Sequence, residues 1–170
     1  EYITSIQKQK FSDFEFIIIC DDPSDITKNI IGHFQQDDDR IKVVYRQSRG
    51  LVSSLNKGIS LATGKYIARM DADDVSYSER LEKQVAFIES HPKCALVASH
   101  VELIDESGNL TGYWKADLKT DTAEGIRKRL PYENCIAHPT VLFRKSIAEY
   151  YQYDPIQKNI EDYDVWLRMA

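Results

Sequence analysis

Phe14-Glu15-Phe16-Ile17-Ile18-Ile19-Cys20, running into Asp21-Asp22-Pro23-Ser24-Asp25, is the stretch on which the fold turns. An almost continuous apolar run bounded by turn formers is the pattern of a strand covered on both faces, as in a parallel sheet. The residues after it are caps that predict a helix over Asp25 to Phe34, closed by Gly32 and the solvated acidic turn Asp37-Asp38-Asp39.

Working outward, Ile41 to Arg46 reads as a second short strand. Gly50 then opens a helix with Leu51, Leu55, Ile59 and Leu61 at helical spacing, stopped at Gly64. Tyr66 to Met70 predicts a third strand ending directly on Asp71-Ala72-Asp73-Asp74. A helix follows from Ser78 to Ser90, with Leu81, Val85 and Ile88 inward and His91-Pro92 as its end. Cys94 to Ile104 predicts a strand that turns through Glu106-Ser107-Gly108-Asn109 into a hairpin partner. Thr120 to Leu130 is helical with Asp121 as cap, Ile136 to Phe143 is a further strand, and the last helix starts near Ile160. This order predicts an α/β sandwich with a mostly parallel sheet, mixed in its second half, and helices on its faces. No repeat or low-complexity linker divides it, so residues 1–170 are read as one domain.

Composition agrees. The 170 residues are 42% hydrophobic and 29% charged, ordinary for a globular protein long enough to bury roughly two thirds of its unfolded surface. A net charge of −5 excludes a broad nucleic-acid footprint, so any phosphate site must be built locally. Cys20, Cys94 and Cys135 are far apart and odd in number, which argues against a disulfide framework and for a reducing compartment. No apolar stretch approaches the roughly 18 to 20 residues of a membrane span. The chain begins without Met inside a helix-like segment and stops inside another, so it is read as cut from a longer protein.

In open α/β sheets, ligands bind beyond the carboxyl ends of the strands. Asp21-Asp22 and Asp71-Ala72-Asp73-Asp74 both occupy that place. On an extended chain residues two apart point the same way, so Asp71 and Asp73 are expected to aim two carboxylates into one crevice, as a hard divalent cation needs. Such a cation would bridge a diphosphate and neutralise charge growing on it. A plain loop of acidic caps ahead of the next helix is the alternative. Asp71 to Val75 also fits the loop of haloacid-dehalogenase-type phosphatases, with Glu161-Asp162 as a downstream acidic pair. That reading, however, requires the motif on the first strand of the domain, and here two strand-helix units precede it.

Four blocks in order, over nearly the whole chain, resemble the family 2 glycosyltransferases of the GT-A fold. They are Asp13-Phe14-Glu15 through Asp21-Asp22, Gly50-Leu51 through Asn56-Lys57-Gly58 to Asp71-Ala72-Asp73-Asp74, His138-Pro139-Thr140 through Arg144, and Glu161-Asp162-Tyr163-Asp164-Val165-Trp166. The resemblance implies an inverting, metal-dependent enzyme that moves a hexose from a nucleotide-sugar donor, a UDP-sugar first, to a hydroxyl acceptor. It implies Mn2+ or Mg2+ as cofactor and a glycan or lipid-linked acceptor. It also implies bacterial surface-polysaccharide synthesis in the cytoplasm, with peripheral association at the inner membrane face. By position, Asp22 would contact the nucleotide base, Asp71 the ribose or a metal-bound water, and Asp73 the metal directly. Asp162 would be the general base, with Glu161 tuning it or orienting the acceptor. A non-catalytic module binding nucleotide-sugar or glycan is the alternative function.

Arg69, Lys57 and Arg49 bracket the donor side and are candidates for phosphate contact, Arg69 foremost because it leads into the acidic loop. His138 is read first as a structural histidine, Trp166 and Leu167 as packing for the last helix, and Tyr150, Tyr151 and Tyr153 as an aromatic cluster. The family opens with one more strand, which this chain lacks. That strand lies mid-sheet in doubly wound folds, so its loss is expected to leave ladder groups unpaired. Pro23 stands where the family often has Gly or Asn.

Overall fold

A computed structural model describes residues 1–170. Helix α1 (Tyr2–Gln7) leads to strand β1 (Phe16–Asp21), helix α2 (Asp25–Asp37) and strand β2 (Ile41–Arg46). β1 and β2 pair in parallel, Phe16 opposite Ile41 through Asp21 opposite Arg46, as the apolar run predicts. Ser24 caps α2 by accepting a hydrogen bond from the Thr27 N–H at 3.1 Å. Gly32 does not stop this helix. One interior glycine costs only about 1 kcal/mol, and the neighbouring Ile31 is buried against Ile3, Ile18 and Ile41, so the helix continues to Asp37. Cover of β1 is uneven: Ile18 and Cys20 are buried, while Ile17 and Ile19 are half-buried.

Gly50 takes φ 81° and ψ 163° at the entrance to α3 (Leu51–Leu61), a region open only to glycine. The helix ends at extended Ala62, before Gly64. The turn beyond it is clamped by the Glu15 carboxylate, which accepts from Thr63 N (2.5 Å), Thr63 Oγ1 (2.6 Å) and Gly64 N (3.2 Å) and pairs with Lys42 Nζ at 2.7 Å. Burial works against the charge of Glu15, but these donors outweigh it and hold its pKa at about 2.

β3 (Tyr66–Ala68), α4 (Arg80–Ser90), β4 (Leu96–Val97), β5 (Glu102–Ile104), β6 (Leu110–Tyr113), α5 (Ala123–Arg129), β7 (Leu142–Arg144), α6 (Lys145–Tyr150) and α7 (Glu161–Met169) complete the chain. β7 lies antiparallel between β3 and β4, and β5 and β6 form a separate hairpin. The fold is therefore α/β with parallel pairing in its first half and antiparallel pairing in its second. Three expected strands are shorter than their apolar runs. The Tyr66 strand gives way to the acidic loop, and the Cys94 strand breaks before β5. His138–Thr140 forms a 3-10 turn, because Pro139 has no N–H to give a ladder. Thr122, rather than Asp121, caps α5, accepting from Gly125 N at 3.1 Å.

β1 bonds only β2 and β3 only β7, so the strands form three small sheets rather than one. Helix α3 joins the halves. Gly58 faces Ile19 of β1, while Ile59, Leu55 and Val52 pack into the larger core around Val141, Phe143, Val165 and Trp166.

Candidate active site

The acidic loop begins where β3 ends. It is a turn, not an extended strand: Asp74 N–H reaches back to the Asp71 carbonyl at 3.4 Å. That turn, rather than period-two alternation, draws the carboxylates of Asp71, Asp73 and Asp74 within 4.8 Å of one another. Asp71 and Asp74 are half-buried and Asp73 is exposed. The buried guanidinium of Arg69 grips both oxygens of Asp71, which identifies Arg69 as the cation compensating this loop. Beneath it Arg80, from the first turn of α4, donates to the Arg69 carbonyl at 2.7 Å and to Gln84 at 3.2 Å. Burial, opposed by Asp74 and reinforced by Arg69, lowers the Arg80 pKa to about 10. Burial and the charges of Asp71 and Asp73 push the Asp74 carboxyl up, and its Oδ2 is buried with no hydrogen-bond partner. Three crowded carboxylates, one orphaned, fit a hard divalent cation, which takes oxygen ligands and relieves like-charge repulsion. Asp73, with no protein partner of its own, is the open ligand; Asp74 Oδ2 is a second.

The other carboxylates come from α7. Glu161, Asp162 and Asp164 occupy its first turn, where the helix dipole favours negative charge. Glu161 is buried and Asp162 half-buried. Asn134 Nδ2 donates to Asp162 Oδ2 at 3.0 Å. Trp166, 2% exposed, anchors the helix in the core; Leu167, expected to pack beside it, points to solvent at 44% exposure, one position round the helix from Trp166.

Between loop and helix stands a buried pair, His138 Nε2 and Tyr153 Oη at 2.8 Å. The histidine ring meets Trp166 edge-on, centroids 5.9 Å apart. Burial, aided by the Arg69 charge, drops the His138 pKa to about 3, so the ring is neutral and structural. Burial raises the Tyr153 phenol; Arg69 opposes the shift, while Asp162, Glu161 and Asp71 reinforce it. One side chain thus feels the loop and the helix together. Asn56 of α3 fixes Tyr153 by a reciprocal pair, Asn56 Nδ2 to Tyr153 O at 2.8 Å and Tyr153 N to Asn56 Oδ1 at 3.0 Å. Tyr150 and Tyr151 stack edge-to-face, with Tyr150 exposed and Tyr151 packed against the cluster that holds Tyr153.

Asp22 lies at the end of β1, exposed, with φ 53°. Pro23 forbids it the right-handed helical region, and Asp is among the few residues that tolerate the left-handed one. Its neighbour Asp21 accepts from Arg49 N at 3.3 Å. No hydrogen bond joins Asp22 to the acidic loop, and the side chains of Lys57 and Arg49 are exposed without partners. Sequence reasoning missed Asp74, Asn134, Asn56 and Arg80 as site residues. Asp74 had a signal as the third acid of its run and Asn56 lay in one of the four family-like blocks; Asn134 meets Asp162 across 28 residues and Arg80 meets the Arg69 carbonyl across 11.

The chain thus carries a loop of three carboxylates at the end of β3 in an α/β fold and a second acidic pair in the first turn of α7. Residues 1–151 match the sequence profile of glycosyl transferase family 2, and the chain belongs to that family. It is 37% identical over 170 residues to an uncharacterized glycosyltransferase of Methanocaldococcus jannaschii, covering 99% of this chain and 58% of that protein. It is 37% identical over 169 residues to the O-antigen biosynthesis glycosyltransferase WbnJ of Escherichia coli, covering 98% and 64%. The chain thus spans under two thirds of the length of either relative. The mannosyltransferase PcManGT from Pyrobaculum calidifontis, solved in complex with GDP-Man and Mn2+, superposes with a TM-score of 0.69 at 15% identity, over 96% of this chain and 45% of that one. The GT-A fold expected from sequence is the fold observed. The acidic motif follows the third strand, not the first as the phosphatase reading requires.

Proposed function

We propose that this chain carries the catalytic core of an inverting glycosyltransferase that moves a hexose from a nucleotide-sugar, a UDP-sugar first, to a hydroxyl of a glycan or lipid-linked acceptor. The observation that carries this reading is the acidic loop after β3, where Asp71, Asp73 and Asp74 bring their carboxylates within 4.8 Å of one another and Asp74 Oδ2 is buried without a hydrogen-bond partner.

In this mechanism Asp22 bonds the nucleotide base and Asp71, steadied by Arg69, the ribose. Asp73 and Asp74 would hold Mn2+ or Mg2+, and a bound ion supplies the positive charge that stabilises a departing nucleoside diphosphate. Asp162 takes the proton of the acceptor hydroxyl, a poor nucleophile near neutral pH; a positioned carboxylate contributes about 10² to 10⁴ in rate. The freed oxygen attacks the anomeric carbon from the face opposite the diphosphate, inverting its configuration. Buried Glu161 shapes the acceptor side. WbnJ's role in O-antigen biosynthesis supports a place in surface-polysaccharide synthesis; the proposed location is the cytoplasmic face of the membrane, peripheral to it. No helix of the chain is long and apolar enough to cross a membrane.

The test is a thermal-shift screen of the complete protein against UDP- and GDP-sugars with and without Mn2+, followed by donor turnover. A donor at a hundredfold excess over its dissociation constant stabilises by about 2.7 kcal/mol. Asp162→Asn is expected to keep that shift and lose turnover. Donor binding without turnover by the unaltered protein, toward any acceptor or water, assigns it instead as a non-catalytic binding module.

A further inference from the structure

Asp162 is held from the side, and what holds it is a group whose orientation the main chain dictates. Asn134 Oδ1 accepts the Ile136 N–H at 3.2 Å. A backbone N–H can only donate, so the amide must present its oxygen to Ile136 and its NH2 to Asp162, the bond of 3.0 Å. The segment bearing Asn134 is fastened to α7 on both flanks. The Tyr163 hydroxyl donates to the Leu130 carbonyl, and Leu130, Cys135 and Ile136 are buried in one cluster with Val165 and Trp166. Neither partner can drift without opening that cluster. Asp162 Oδ2 is thereby occupied, and no protein donor reaches Oδ1.

We infer that Asn134 is a positioning residue for the transfer step: it ties down Oδ2 of Asp162 and leaves Oδ1 as the one oxygen free to take the acceptor's proton. This rests on Asp162 being the general base. Without the tether a half-buried carboxylate rotates about χ2, and a base must sit within hydrogen-bond reach of the proton it removes.

The discriminating variant is Asn134→Asp. It is nearly isosteric and keeps an acceptor for the Ile136 N–H, but it replaces the donor facing Asp162 with a second carboxylate. In the complete protein, turnover is expected to fall at least tenfold in kcat, with donor KM and the donor-plus-Mn2+ thermal shift unchanged. Asn134→Ser, which restores a short donor, should recover part of that loss. Asp162→Asn is measured in parallel. If Asp162→Asn is inactive while Asn134→Asp keeps full kcat, the positioning role is overturned and the base assignment survives. If Asp162→Asn keeps its turnover, both fall. A loss in Asn134→Asp that appears in donor KM or in melting temperature, rather than in kcat, overturns the inference in favour of a purely structural amide.

Discussion

His138 titrates far from where a histidine ordinarily does, and the sign of its effect on stability follows from that. Its pKa falls to about 3 in the fold, from the 6.5 usual for a histidine. Between those values the unfolded chain binds a proton that the folded chain refuses. Its contribution to stability is complete above pH 6.5 and is lost as pH falls toward 3. Stability by urea denaturation should therefore drop on acidification below pH 6.5, by up to about 1.4 kcal/mol per pH unit. His138→Gln should flatten the slope between pH 6.5 and 5, above the ordinary carboxylate range. An unchanged slope would assign the acid sensitivity to another group. Asp73 is exposed, and its carboxylate takes part in no hydrogen bond or ion pair within the chain. Asp73→Asn should shift the stability of the metal-free protein by no more than about 0.5 kcal/mol and abolish the rise in melting temperature on adding Mn2+ with donor. Retention of that rise would remove Asp73 from the metal site.

At the scale of elements, α2 and α3 are placed by their entrances. Ser24→Ala removes the hydrogen bond to Thr27 N and is expected to cost about 1 kcal/mol, read as a lower denaturation midpoint with unchanged m-value. Gly50→Ala forces a side chain into a backbone region only glycine enjoys and should cost about 1 to 3 kcal/mol, even though a Cβ there meets no other atom. Crowding therefore cannot explain the loss, and a neutral Gly50→Ala would mean that the α3 entrance adapts. The same element order explains why the acidic loop was legible early: a strand, a turn and a helix follow each other in sequence, so local pattern suffices. The helix end at Asp37 was not legible, because the burial of Ile31 depends on α1, β1 and β2 together.

Across the whole molecule, ten buried residues around Trp166 hold β7, α3 and α7, while five around Ile18 hold β1, β2 and α2. The smaller cluster buries less apolar surface, so native-state hydrogen exchange should show the β1–β2 amides opening at lower free energy than those of β7 and α7. Equal protection would mean that α3 couples the halves into one cooperative unit. Trp166→Ala should cost about 3 to 5 kcal/mol and abolish turnover, since the helix it anchors carries Asp162.

The sequence by itself determined the alternation of strands and helices as far as α4, the α/β class, the position of Asp71, Asp73 and Asp74 at a strand end, and the placing of Glu161 and Asp162 in a first helical turn, but gave no sign of α6. Periodicity, caps and turn chemistry act over a few residues, and a few residues can be read without the rest. Tertiary structure alone decided that β7 slots antiparallel between β3 and β4, that His138 is neutral against Tyr153 and Trp166, that Arg69 spends its charge on Asp71, and that Asn134 meets Asp162. Each of these joins groups distant in the chain, through burial and hydrogen bonds that exist only once the core has closed.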